Sequence, residues 1–338
     1  ATIETMRDEE FFPNMENPHI MYAEEWSQAF SMLMQQFEAV DPSSMNAQKM
    51  AEAQNYVDYY VVGSFDSPQL FEREDEEGNW LPLDEQSWPA DLTTKPVSTR
   101  SERVYFTLSM PRKEISRRGH GGQVPVAIMS HGYGSNRFEG MQMAGFFARQ
   151  GFATLSIDGP SHGLPLNEMQ SQLARAVLSN MGLGSASDAI GKDRAFNQDK
   201  DAAGVRDSGA DFWTAYLFHT RDVVRQFALD YMQTVRVLKS FDGLRHWNFD
   251  VDGNGHNELA GDFDGDGQVD IGSESEMVMI GGSLGGIMSM IMSGLEPALA
   301  ASAPIAGGGG FGDMGIRTTL GGAIEGFVLR AMGPFFAG

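Results

Sequence analysis

The tightest constraint in this sequence is the stretch Met277-Val-Met-Ile-Gly-Gly-Ser283-Leu-Gly-Gly-Ile-Met-Ser-Met290. An apolar run enters Gly281-Gly282-Ser283-Leu284-Gly285, and an apolar, small-residue segment leaves it. That order predicts strand, tight turn and helix, with a serine at the apex. Such a turn forces the serine into a sparsely allowed backbone conformation and brings the helix very close to the strand. Gly281 and Gly285 suit the crossing because a side chain at either position would collide with it. The geometry lifts the hydroxyl clear of the sheet and aims the next amide, that of Leu284, at whatever the hydroxyl attacks.

Earlier segments keep the same rhythm. Val124-Pro-Val-Ala-Ile-Met-Ser130 reads as a buried strand ending in His131-Gly-Tyr-Gly134, followed by a helix over 138–150. Phe152–Ile157 is the next strand and ends in Asp158-Gly-Pro-Ser-His-Gly163, and Ala298–Ile305 is one more. Strands alternating with helices imply a mostly parallel α/β sheet covered on both faces. Residues 1–20 read as an irregular acidic arm. Trp26, Phe30, Leu33, Phe37 and Val40 give helical spacing over 21–40, and a second helix is expected over 44–56. A strand at 59–62, a solvated loop at 66–100 and a strand at 103–109 follow. Residues 164–275 exceed what one crossover needs and form an insertion before the serine strand. The insertion holds a helix at 166–180, a loop at 182–210, a long helix at 211–240 and an acid-glycine segment at 250–272. A short helix is expected near 319–332. The boundaries drawn are an N-terminal arm with the first strand or strands (1–102) and an α/β domain (103–338).

Charge narrows the partners. With 46 acidic against 24 basic residues the net charge is −22, which argues against nucleic acid and against an anionic membrane surface. No cysteine is present, so disulfides and thiolate zinc sites are excluded. No apolar run approaches the roughly 20 residues needed to span a bilayer, so no transmembrane segment is expected. The chain opens on Ala1 and reads as a processed product. Its 21 methionines suit soft core filling.

Together, His131-Gly-Tyr-Gly134, Asp158-Gly-Pro-Ser-His-Gly163 and Gly281-Gly-Ser-Leu-Gly285 resemble the α/β-hydrolase superfamily over about residues 103–310. Ser208-Gly-Ala-Asp-Phe-Trp, Thr220-Arg-Asp and Arg225-Gln are similar to large secreted or outer-membrane bacterial lipases and lysophospholipases. The resemblance implies Ser283 as nucleophile, with the amides of Leu284 and Tyr133 as oxyanion donors and Gly132 and Gly134 allowing that backbone to approach. It assigns His131 to the oxyanion loop, His162 to a turn that buttresses it, and Asp158 to a turn rather than to catalysis. The implied reaction is cleavage of carboxylic, lipid-like esters through an acyl-enzyme. Hydrolysis and acyl transfer share its first half-reaction.

The superfamily order is serine, acid, histidine. The seven histidines, at 19, 120, 131, 162, 219, 246 and 256, all precede Ser283. Asp313 is an acid candidate. About 55 residues follow the serine, too few for two more strands and a histidine loop, so an open parallel edge is left that something should cover. The expectation is that the last strands, the histidine and the acid come from a C-terminal fragment or a second chain. The competing reading is a catalytically silent scaffold or binding subunit of a larger assembly.

A second constellation precedes the serine. Asp250, Asp252, Asn254 and Glu258, then Asp262, Asp264, Asp266 and Asp270, place oxygen ligands at positions 1, 3, 5 and 9, with glycine at position 6. Carboxylates alternating around a glycine bend converge on one point, which suits a hard cation. Position 12 is Gly261 or Ser273, so these are not EF-hands, and an all-oxygen set favours structural Ca2+. Loops of this kind fill at about 0.1–1 mM free calcium, which points to an extracytoplasmic location. Phe212, Trp213 and Phe218 read either as an acyl pocket or as the core face of a helix.

Overall fold

The computed structural model describes residues 15–22, 45–72, 74–75, 77–79, 81–82, 86–89, 100–164, 166–180, 189–194, 206–214, 216–247, 250 and 254–309. They build one seven-stranded sheet: β1 (Met15–Tyr22), β2 (Val57–Gln69), β3 (Arg100–Pro111), β4 (Val126–Ser130), β5 (Ala153–Ile157), β6 (Met277–Gly282) and β7 (Leu299–Ile305). Spatial order is β1-β2-β3-β5-β4-β6-β7. Strands β5, β4, β6 and β7 pair in parallel, whereas β1, β2 and β3 form an antiparallel wing that joins β5 through β3.

Every residue of β4 and β5 is buried, as continuous apolar runs require when helices cover both faces. On one face lie α4 (Leu217–Lys239) and α5 (Leu284–Leu295), bringing Phe227, Tyr231 and Met288 against Phe106, Ile128 and Met279. On the other, α2 (Phe138–Ala148) and α3 (Glu168–Asn180) bury Met141, Ala144 and Leu178 against Val57 and Val62. Helix α1 (Met45–Ala53) crosses α2 so closely that a methyl group at Gly145 would strike the Ala53 backbone. This strand order, with the serine turn between β6 and α5, is an α/β-hydrolase-type sheet. Among the described residues no helix is long and apolar enough to cross a membrane.

Several expectations need correction. Residues 15–22 are a strand, not an arm leading into a helix at Met21, because the edge of β2 offers a full ladder. Pro18, which cannot donate to that ladder, sits where the register shifts between Glu16 and His19. The rest of the 21–40 helix, and the 319–332 helix, lie outside the described residues. Strand β2 continues to Gln69, into the stretch expected to be loop. Ser67 and Gln69 are buried there, and α4 satisfies this polar end. Ser67 donates to Asp230 at 2.7 Å and Gln226 donates to the Pro68 carbonyl at 2.8 Å. Strand β3 runs across the boundary drawn at 102–103 and pairs with β2, so the first strands belong to the same sheet. The long helix starts at Leu217 rather than Asp211. Before it, the backbone turns, the Thr214 amide donating to the Thr220 hydroxyl at 3.0 Å.

Candidate active site

Strand β6 hands directly to α5 through Ser283, whose backbone stands at φ 55° and ψ −117° with the residue exposed. A non-glycine residue there costs about 1–3 kcal/mol and persists only where its surroundings enforce it. They do. The Ser283 amide donates to the Ile305 carbonyl at 3.0 Å, and its own carbonyl accepts from Ile287 at 3.1 Å. A methyl group at Gly281 would meet the Gly285 carbonyl, and one at Gly285 would collide with the Ser130 carbonyl oxygen. Gly282 faces open space, so the glycines needed at the crossing are those on either side of Gly282-Ser283-Leu284.

The second half of the site comes from β4. Ser130 pairs with Gly281, which sets the His131–Gly134 turn beside the serine, with Gly132 next to the Gly282 carbonyl. Among the described residues, the amides of Leu284 and Tyr133 donate to no acceptor. The Gly132 amide is taken, donating to Glu139 Oε2 at 3.0 Å.

His131 has both ring nitrogens engaged, whereas His162 uses only Nδ1 and its buried Nε2 meets no partner among the described residues. Gly159 N–H donates to His131 Nε2 at 2.9 Å, so Nδ1 carries the proton and donates to the Gly132 carbonyl at 2.8 Å. His162 Nδ1 donates to the Pro160 carbonyl at 2.8 Å, and its ring lies 4.8 Å from that of His131. Burial pulls His131 below the ordinary histidine value and His162 well below it, His131 adding to the second shift. Both are neutral packing groups in an aromatic stack that includes Phe212 and Phe227. Tyr133 rests on top, against His162 and Trp213.

Asp158 is structural too. It accepts the Arg137 amide at 2.7 Å and pairs with the Arg137 guanidinium, both side chains fully buried. Arg137 also donates to the carbonyls of Lys192, Ala189 and Ile190. This pair ties the segment after the His131–Gly134 turn to the end of β5. Sequence reasoning missed both Arg137 and Glu139. The signal available was a basic and an acidic residue bracketing the start of a helix that follows His131-Gly-Tyr-Gly134.

Among the described residues no histidine or carboxylate hydrogen-bonds to the Ser283 hydroxyl, and Asp313 lies outside them. Of the three acyl-pocket candidates, Phe212 is core, Trp213 is half-buried, and Phe218 is exposed beneath the Arg221 guanidinium.

The two acid-glycine loops share one local design. Asp250 accepts the amides of Asn254 and Gly255, and Asp262 accepts those of Gly265, Asp266 and Gly267. The sixth residues, Gly255 and Gly267, have φ of 87° and 83°. Asp252 lies outside the described residues, and Glu258 is buried. Carboxylate oxygens of Asp262, Asp264 and Asp270 lie within 4.8 Å of one another. Burial, reinforced by Asp270 and Asp264, pushes Asp262 up to about 6. Two side-chain cations already meet this cluster. Arg118 bridges Asp270 at 2.5 Å and Asp264 at 2.6 Å, and Lys113 reaches Asp264 at 2.9 Å and Asp266 at 2.6 Å.

No protein-family model matches the chain, and no curated protein does. Solved structures similar to it include an acetyl xylan esterase from Paenibacillus sp. R4 (15% identity, TM-score 0.34, 83% of this chain and 57% of that one). Acetyl Xylan Esterase 1 from Thermoanaerobacterium sp. JW/SL YS485 is similar at 13% identity and TM-score 0.31, over 82% of this chain and 57% of that one. A ferulic acid esterase from Streptomyces cinnamoneus is similar at 11% identity and TM-score 0.33, over 72% of this chain and 58% of that one. The chain thus spans less than three-fifths of the length of each of these solved chains.

Proposed function

We propose that the protein is a serine hydrolase that cleaves carboxylic esters through an acyl-enzyme on Ser283. The observation that carries this is a strained, exposed serine whose flanking amides, those of Leu284 and Tyr133, are both without acceptors among the described residues. The Ser283 oxygen would attack the acyl carbon, the two amides would bind the oxygen as it gains charge, and the alcohol would leave with a proton. Water would then release the acid and restore the hydroxyl. Two donors of this kind in a dry site are worth several kcal/mol of barrier. The exposed or half-buried aromatic residues at the turn, Tyr133 and Trp213, favour an apolar, lipid-like acyl or alcohol group. Reaction of the protein with a fluorophosphonate, followed by peptide mapping, tests the assignment. Modification at Ser283 is expected. Absence of labelling would favour the second reading, a silent scaffold, whose support is the lack of any base bonded to Ser283 among the described residues.

The base and the acid belong to this proposal as groups outside the described residues. Strand β7 is the parallel edge of the sheet among the described residues, and Ala300, Ala301, Ala303, Pro304 and Ile305 are exposed on it. An apolar parallel edge left open invites pairing. We therefore propose a further strand beside β7, from a C-terminal fragment or a second chain, which would carry the histidine with it. Slow hydrogen exchange at the outward amides of β7 is the expected result, and exchange at the unstructured rate would refute it.

Calcium is proposed as the ion of the paired loops, in a structural role and outside the cytoplasm. The donors are all oxygen, and three converge, which fits a hard cation. Arg118 and Lys113 neutralise part of the cluster, so the ion would share or displace them. At dissociation constants of about 0.1–1 mM, 10 mM calcium should add roughly 1–3 kcal/mol of stability. A melting temperature indifferent to calcium and to chelator would rule the ion out.

A further inference from the structure

We infer that Glu139 is a positioning residue for the oxyanion turn: it holds the Gly132 amide, so that the next amide, that of Tyr133, is the one presented to the reacting carbonyl. This rests on the proposed role of Ser283 and adds a residue to it.

Gly132 and Tyr133 offer two consecutive amides at the mouth of the site, and only that of Tyr133 is without an acceptor among the described residues. Glu139 makes the choice by occupying the first, Oε2 accepting the Gly132 N–H at 3.0 Å. The carboxylate is well held for this. It is the second residue of α2, where the helix dipole favours a negative charge, and its own amide donates to the Asn136 carbonyl at 3.1 Å. The Gly132 carbonyl is also engaged, accepting from His131 Nδ1 at 2.8 Å and from the Ser135 amide at 3.1 Å. Every polar backbone group of Gly132 therefore has a partner, whereas the Tyr133 amide has none among the described residues.

Proximity supports a role in the reaction rather than in folding alone. A methyl group placed on Gly132 would lie 3.9 Å from the Gly282 carbonyl oxygen and 4.0 Å from Glu139 Oε2, so the serine turn and the carboxylate flank the same glycine. A carboxylate next to developing negative charge works against the reaction unless it is neutralised or occupied. Here it is occupied by a charge-assisted bond. Without it, the Gly132 amide would compete for the substrate oxygen and the turn would lose its register.

The test compares the wild-type protein with Glu139→Ala and Glu139→Gln. The rate of fluorophosphonate labelling at Ser283 should fall about 10- to 100-fold in Glu139→Ala, the scale expected for a misplaced oxyanion donor. Glu139→Gln keeps an acceptor oxygen and should recover most of the rate, with melting temperatures near wild type in both. Amide exchange at Gly132, followed by NMR, is independent of the reaction and should speed up about tenfold in Glu139→Ala but not in Glu139→Gln. Unchanged exchange at Gly132, or a labelling rate in Glu139→Ala equal to wild type, overturns the inference. A wild-type protein that does not label refutes the nucleophile, while the exchange data still decide whether Glu139 holds the turn.

Discussion

Replacing Ser283 with glycine should abolish the proposed ester cleavage and fluorophosphonate labelling while making the protein more stable. The two halves of that result have separate causes. Removing a serine nucleophile costs on the order of 10⁶-fold where it has been measured in a complete triad, so residual turnover should be undetectable. Stability moves the other way because of the backbone. Serine at φ 55° and ψ −117° costs about 1–3 kcal/mol, and glycine reaches that region without a steric penalty. Glycine returns about 0.4–1 kcal/mol of this through the greater freedom of its unfolded chain. A net gain of up to about 2 kcal/mol remains. Nothing else is lost, since the hydroxyl has no partner among the described residues and is exposed. Ser283→Ala is the control: equally inactive, but still strained, it should melt near wild type. Thermal melts of the three proteins decide the matter. Should the glycine variant melt below the alanine variant, the strain argument is wrong, and hydrolysis surviving in either would remove Ser283 from the chemistry.

The features legible in the sequence were those written in local, one-residue terms. Gly281 and Gly285 gave away a crossing that tolerates no side chain, and the structure sets the Gly285 and Ser130 carbonyls where those side chains would go. The buried runs of β4 and β5 identified the parallel centre of the sheet because strands covered on both faces need little but apolar residues. The antiparallel wing was harder. Strand β2 ends in Ser67, Pro68 and Gln69, a polar stretch that is buried only because Asp230 and Gln226 on α4, some 160 positions later, supply its hydrogen bonds. Strand β1 contains a proline and pairs with β2, and no hydrophobic alternation advertises it. Arg137 and Glu139 were invisible for a related reason. Their meaning lies in carbonyls and amides distant in sequence, and a charged side chain near a helix start ordinarily signals only solvation.

Exchanging Arg137 for methionine should cost about 3–5 kcal/mol, the usual penalty for stranding one member of a buried ion pair. Against a total stability of about 5–15 kcal/mol, that is enough to bring the protein near the threshold of unfolding. Both side chains are fully buried, so Asp158 would keep a buried charge without its guanidinium partner, Arg194 bonding only to the Asp158 backbone carbonyl at 2.9 Å. The loss would not stop at the pair. Arg137 also binds the carbonyls of Ala189, Ile190 and Lys192, and its backbone amide bonds to Asp158. The segment linking the His131–Gly134 turn to α2 would therefore loosen, and fluorophosphonate labelling of Ser283 should slow even where the protein remains folded. Arg137→Met combined with Asp158→Asn separates the two contributions. The asparagine oxygen can still accept the Arg137-position amide at the place where Asp158 does so now, yet it carries no charge. The double variant should therefore be more stable than Arg137→Met alone, by roughly 1–3 kcal/mol in urea unfolding. If the two are equally unstable, the cost lies in the lost carbonyl contacts of the guanidinium, and the buried charge at Asp158 is not what makes this pair indispensable to the turn.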